Sequence, residues 1–386
     1  MFNNIRSSYI LKDILENINY RTKLNIIKHN KAMQNRLDID LNDYKNEHFK
    51  EFNQKFHLNI EDIGIKQLNF NKHAIGNEEL NALSKVAFKE LRALYLANNN
   101  ISDINSLENT YFKELKYLNL SCNKISDIKA LTTANFVNLR ILYLMDNQIK
   151  DLNGLNFQNL KHLKELNLKN NTISDISSFQ YADFEELNVL YLHGNPIQDI
   201  EPLETANIKE LKVLDLNDNK ISNIKSLEKL NCQGLKVLYL RHNKIKDIEA
   251  LQSANFPKLK EINLNMNKIK NIEVLEKVHF RQLKVLSLSH NQIYDIEVLK
   301  KVNFKQLKYL NLSWNHITNI EALEKANFKE LKELNIKFNT ILDAEPLKNK
   351  GFKNLRKLNI LGNSIFKQEN IKLLKENNRK LKLPFY

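Results

Sequence analysis

The sequence predicts an α/β solenoid, one supersecondary unit stacked on copies of itself, with short strands, loose return legs and a helical cover at the start. Three observations predict it. Twelve asparagines stand at a fixed interval of 24 residues: Asn99, Asn123, Asn147, Asn171, Asn195, Asn219, Asn243, Asn267, Asn291, Asn315, Asn339 and Asn363. A period of that length marks a stacked repeat rather than a globule. Each asparagine sits in the same apolar frame, as in the copy Leu307, Leu310, Leu312, Asn315, Ile317, Asn319, Ile320, Leu323, Ala326 and Phe328. Residues 1–60 do not follow that frame.

In chain order, the first element is that non-repeating stretch. Ile10, Leu11, Ile14, Leu15 and Ile18 have helical spacing, as do Leu24, Ile26 and Ile27 and then Met33 and Leu37, which predicts two or three short amphipathic helices. Their default role is to cover the open apolar face of the first coil. The repeats follow over residues 61–365. The first of them is irregular: Leu68, Phe70 and Ile75 fit, His73 takes the asparagine position as a substitute, and the step from Ile75 to Ile101 is 26 residues.

Within each repeat, a stretch such as Leu310-Asn311-Leu312 alternates with the period of a strand, leucines inward and the middle residue toward water. The asparagine marks a turn whose buried backbone groups need partners. Its amide carries both donors and an acceptor, so one side chain can bond its own coil and the next. The Ile, Ile, Leu, Ala and Phe that follow are spaced by three, three, three and two, which suits a 3₁₀ or extended leg rather than a full α-helix. Asp103, Asp127, Asp151, Asp175, Asp199, Asp247 and Asp295 share a column with Asn223, Asn271 and Asn319, and that interchange indicates a turn-forming oxygen. After the repeats, residues 366–386 predict a C-terminal cap, with a short helix from Gln368 to Asn377 bringing Ile371, Leu373 and Leu374 over the last coil.

The frame L-x-x-L-x-L-x-x-N-x-I-x-D-I resembles the leucine-rich repeat, in the subclass of the internalins and of the leucine-rich regulatory subunit of protein phosphatase 1, over roughly Ile63 to Ile365. The unit here is slightly longer than theirs. The resemblance implies a right-handed horseshoe with a parallel sheet on its concave face and irregular legs outside. Thirteen coils at about 4.8 Å each would span roughly 60 Å. Tyr9 to Leu15, followed by Lys23 to Ile27, weakly resembles an F-box, although the proline that usually opens that module and its later tryptophan are missing. That resemblance implies a substrate-recognition subunit of a cullin–RING ubiquitin ligase.

Composition narrows the function. The formal net charge is +14. The residue after the first leucine of the repeat is basic in eleven of twelve cases, namely Arg92, Lys116, Arg140, Lys164, Lys212, Lys236, Lys260, Lys284, Lys308, Lys332 and Arg356, with Asn188 the exception. Glu201, Glu249, Glu273, Glu297, Glu321 and Glu345 flank the other side. A polyanion track along the basic rim is one reading. The reading preferred is a solvated edge whose lysine stems cover apolar surface. No aromatic residue interleaves with the basic column, which disfavours nucleic acid.

Cys122 and Cys232 lie four coils apart, about 20 Å, too far for a disulfide. No signal peptide is evident and no apolar run is long enough to span a membrane, so a cytoplasmic or nuclear compartment is expected. There is no P-loop, G-x-G-x-x-G, H-E-x-x-H or C-x-x-C, and neither enzymatic activity, cofactor nor metal is expected. His242 and His290, two coils and roughly 10 Å apart, cannot share one metal ion.

Function therefore falls to the outward strand positions. One column reads Tyr95, Asn119, Tyr143, Asn167, Tyr191, Asp215, Tyr239 and Asn263, tyrosine alternating with short polar residues. Tyrosine supplies stiff contact area with a polar tip. A later, varied column includes His242, Met266, His290, Trp314 and Phe338. Trp314, the only tryptophan, is expected to face water beside Phe338 and Tyr309 as a contact hot spot. The expectation is a non-catalytic, regulatory scaffold that binds a protein partner of unknown identity on the concave face. F-box adaptor and polyanion binder are the alternatives.

Overall fold

The computed structural model describes residues 64–364 apart from 87, 153–156, 344 and 349–351, together with positions 35, 53 and 54. The expected N-terminal helices, the F-box-like segment and the C-terminal cap lie outside the described residues.

Among the described residues, thirteen three-residue strands, from β1 (Gln67–Asn69) to β13 (Lys357–Asn359), form one parallel sheet in sequence order. Successive strands pair 24 residues apart, as in Leu214 with Leu238. The first pair is offset by 26, Leu68 lying beside Leu94. The two extra residues are taken up in the first return leg, which forms a helix, α1 (Asn77–Lys85). Its start is tied by the Glu79 carboxylate, which accepts the Gly76 N–H at 2.8 Å, and the acids of its first turn and Lys85 in its last suit the helix dipole.

Most other legs are 3₁₀, as the three-residue spacing predicts. Two tighten into single α-turns, α2 (Ala130–Thr133) and α3 (Glu321–Lys325). Most legs are launched by the Asp/Asn column: Asp247 Oδ1 accepts the Glu249 N–H at 2.7 Å, and Asn271 does the same for Glu273. Acid or amide serves equally because only an acceptor oxygen is used. The core is continuous from coil to coil, with Leu214, Leu216, Ile221, Leu227 and Leu235 nearly inaccessible and the outer wall built of Phe88, Phe112, Phe136, Phe184, Phe256, Phe280, Phe304 and Phe328. Cys232 replaces phenylalanine in that wall, and burial pushes its thiol up to about 12.

The asparagine ladder closes the coils. Asn219 Nδ2 donates to the carbonyls of Leu216 and Asn217 in its own coil and of Leu192 in the preceding one, at 2.9 to 3.1 Å. Its Oδ1 accepts the Ile197 N–H at 3.1 Å. The stitching thus runs back to the coil before, not forward. His73 does not replace this set. It is exposed, its ring meets the Asn71 carbonyl and the edge of Phe70, and the Phe70 carbonyl receives one ladder amide, that of Asn99, where the Leu96 carbonyl of a regular coil receives two.

Candidate functional site: the concave face and its turn column

Each strand ends in a tight turn one residue before the ladder asparagine, and that residue has positive φ in all twelve coils. The column is Asn98, Cys122, Asp146, Asn170, Gly194, Asp218, His242, Met266, His290, Trp314, Phe338 and Gly362, with φ from 50° to 70°. Left-handed backbone strains any residue with a Cβ, on the order of 1–2 kcal/mol. Apart from Cys122, the first six coils use residues that tolerate it, Asn, Asp and Gly. The last coils place their bulkiest side chains there.

Those side chains form a stack. The His290 and Trp314 rings are stacked nearly parallel with centroids 5.0 Å apart, and those of Trp314 and Phe338 are 4.1 Å apart. Trp314 and Phe338 nonetheless remain 43% and 41% exposed. Lys337 Nζ sits 5.7 Å from the Phe338 ring. Gly362 ends the file, since a Cβ there would lie 2.3 Å from the Phe338 ring. Burial, with Lys337 and Arg241 nearby, holds the His290 imidazole below its ordinary value, so the ring stacks in its neutral form. Met266 precedes it, its sulfur 3.2 Å from Arg241 Nη2. Tyr309 does not join. It occupies the first strand position, half-buried, and contacts neither ring of the stack, because the chain turns away from the strand before reaching Trp314.

The tyrosine file lies across the first eight coils. Tyr95 and Tyr143 are bridged by Tyr117 from the neighbouring column, at 4.7 and 5.5 Å between rings. Sequence reading missed Tyr117 because it stands at the first strand position, not the central one. The Tyr143 hydroxyl donates to Glu165 Oε1 at 2.8 Å. Burial and neighbouring carboxylates raise the phenols of Tyr143 and Tyr191, and push Tyr239, beside Glu261, up to about 12. All remain protonated donors at neutral pH. The rings are therefore half-buried and held in place, rather than free in water.

Within the tyrosine file, from the coil of Tyr191 to that of Tyr239, lies an ionic knot. Asp215 is 8% exposed and accepts the Asn217 N–H at 3.0 Å. His193 lies 3.7 Å from Asp215 and 3.4 Å from Asp218, and His242 Nδ1 meets Asp218 at 2.6 Å. Among the described residues no group of three or more His, Cys, Asp or Glu is disposed to hold a metal ion, and no helix is long and apolar enough to cross a membrane.

An internalin (inlF) from Listeria monocytogenes is 27% identical, with a TM-score of 0.71, over 87% of this chain and 94% of its own. The leucine-rich repeat domain of APL1B gives 20% identity and a TM-score of 0.63 over 87% of this chain and 91% of its own. The LRIM1/APL1C complex gives 20% and 0.63, this chain covering 55% of the matched chain. No curated relative matches the chain. A leucine rich repeat model matches residues 137–197, and a model of leucine rich repeats in two copies matches 89–133, 185–232, 233–277 and 281–325. Together these matches cover more than half of the sequence, and with thirteen parallel strands in one open sheet they settle the family: the chain belongs to the leucine-rich repeat proteins.

Proposed function

We propose that this protein is a non-catalytic, regulatory scaffold that grips a protein partner on its concave face. The observation that carries this is the stack of His290, Trp314 and Phe338. Large aromatic surface is held half-exposed on backbone that disfavours it. Strain of this kind persists where the surrounding fold imposes it, and it clusters at binding sites. Aromatic anchors that are already ordered lose little entropy on contact. Met266 and His242 extend the same column. Support for a protein ligand comes also from a relative in fold, the LRIM1/APL1C complex, which was solved as a complex between proteins. Both cysteines are free thiols, which supports a reducing, cytoplasmic setting.

The test is affinity capture with three variants. Trp314→Ala combined with Phe338→Ala abolishes recovery of the partner, while deletion of residues 1–45 preserves it. Trp314→Gly also loses the partner but unfolds at higher denaturant than Trp314→Ala by about 1 kcal/mol, because glycine relieves the left-handed turn. Recovery of the partner by the folded double variant would overturn the proposal. Loss on deleting residues 1–45 would favour an adaptor instead.

A further inference from the structure

The middle of the concave face, away from the aromatic stack, has a geometry of its own. Tyr143, Tyr191 and Tyr239 stand on alternate coils, about 9.6 Å apart at ordinary strand spacing. A polyproline-II helix repeats every three residues, about 9.3 Å. No other regular peptide keeps that step. An extended strand repeats its facing side chains at about 6.8 Å, and an α-helix rises about 5.4 Å per turn. Beside the tyrosines, the first strand positions of the three central coils are Val189, Val213 and Val237, each half-buried, and together they make an apolar rail.

Carboxylates stand at both ends of that rail. Glu165 and Glu261 occupy the same strand position four coils apart. Neither makes an ion pair among the described residues, although the protein carries 59 lysines and arginines. Glu165 accepts only the Tyr143 hydroxyl, which leaves most of its acceptor capacity free. Their separation is about 19 Å by strand spacing, and six polyproline-II residues span about 18.6 Å.

We propose that the central concave face is a docking track for a polyproline-II segment carrying two basic side chains six residues apart, its prolines seated on Tyr191 and the valine rail and its cations on Glu165 and Glu261. This rests on the reading that the concave face grips protein, and it adds a contact separate from the Trp314 stack. A polyproline-II segment is already ordered when free, and aromatic-lined grooves are how such segments are recognised. Charge complementarity fixes the register, because a cation can meet both acids only when its spacing matches theirs.

The probe is a fluorescein-labelled heptapeptide, arginine-proline-proline-alanine-proline-proline-arginine, followed by anisotropy with the full chain. Its glycine counterpart, with every proline replaced, keeps the charges and loses the preformed helix. The proline peptide should bind at least about tenfold more tightly than the glycine peptide. Glu165→Gln combined with Glu261→Gln should weaken it about tenfold, and so should Tyr191→Ala, while Tyr191→Phe, which keeps the ring, should hold most of the affinity. Moving one arginine two residues inward should weaken binding to the level of the glutamine variant. Equal affinity for the two peptides, no binding of either, or indifference to the glutamine variant would overturn the proposal. If the native partner still depends on Trp314 while the peptide does not bind, the track fails and the scaffold reading stands.

Discussion

Asp215 shows how a single position departs from the pattern around it. Its equivalents Asn119, Asn167, Asn263, Asn311 and Asn335 make the same bond, accepting the N–H two residues on. An amide therefore satisfies the site, yet this coil has a carboxylate. Burial raises its acid form above the ordinary value of 3.8, against the lowering pull of the Asn217 N–H and His193. A raised native value means that the folded state prefers the protonated acid. That contribution is complete below pH 3.8 and is lost as pH rises through the native value. At pH 7 the ionised side chain weakens the fold. Asp215→Asn should raise stability at pH 7 by on the order of 1 kcal/mol, and the gain should vanish below pH 3.8. Urea melts of the two proteins at both pH values measure it. The column was legible in the sequence as polar and outward. Its burial was not, because His193, which closes over it, comes from the turn of the preceding coil and there also meets Asp218 of its own coil's turn.

At the scale of the element, the coil is held by one side chain at its corner. Replacing Asn219 by leucine leaves the Ile197 N–H without its partner in a dry interior and takes one of two donors from each of the Leu192, Leu216 and Asn217 carbonyls, which keep Asn195, Asn243 and the Gly194 N–H. An unmet buried backbone group costs about 1–3 kcal/mol and each lost hydrogen bond about 1 kcal/mol, so Asn219→Leu should destabilise by about 2–3 kcal/mol in denaturant melts. The strand, the ladder and the 3₁₀ leg were all legible, because each is carried by a period that repetition makes visible. The turn residue was harder to read. Gly194 and Gly362, two of only seven glycines, mark the column as left-handed, and Asn98, Asp146, Asn170 and Asp218 agree with it. The His, Met, Trp and Phe of the later coils hide that signal, since their identity says nothing about backbone. The stack of His290 on Trp314 was missed for the same reason, and Tyr309 was misplaced because a column one turn away looks adjacent in sequence.

Across the whole molecule, each coil touches its neighbours, and stability propagates along one dimension. Inserting a second copy of residues 220–243 after Asn243 should therefore be tolerated, adding one strand to the sheet and retaining a cooperative melt. An insertion of half that length should not. The added coil widens the Glu165 to Glu261 interval by about 4.8 Å but leaves His290, Trp314 and Phe338 in their own relative places. The heptapeptide should lose affinity while the Trp314-dependent partner is retained, and anisotropy and affinity capture on one variant read both.

The twelve positive-φ corners have a consequence for how such a surface diversifies. None of them holds valine, isoleucine or threonine, the residues whose branched Cβ fits that backbone worst. The longer unbranched residues, His, Met, Trp and Phe, meet nearly the same conformational penalty, so exchanging one of these for another leaves the fold level while changing what the corner shows. Drift from histidine to tryptophan, or from methionine to phenylalanine, can proceed there by single steps, each of them a folded protein. The row of corners works as an alphabet whose letters are interchangeable to the scaffold and distinct to whatever reads them.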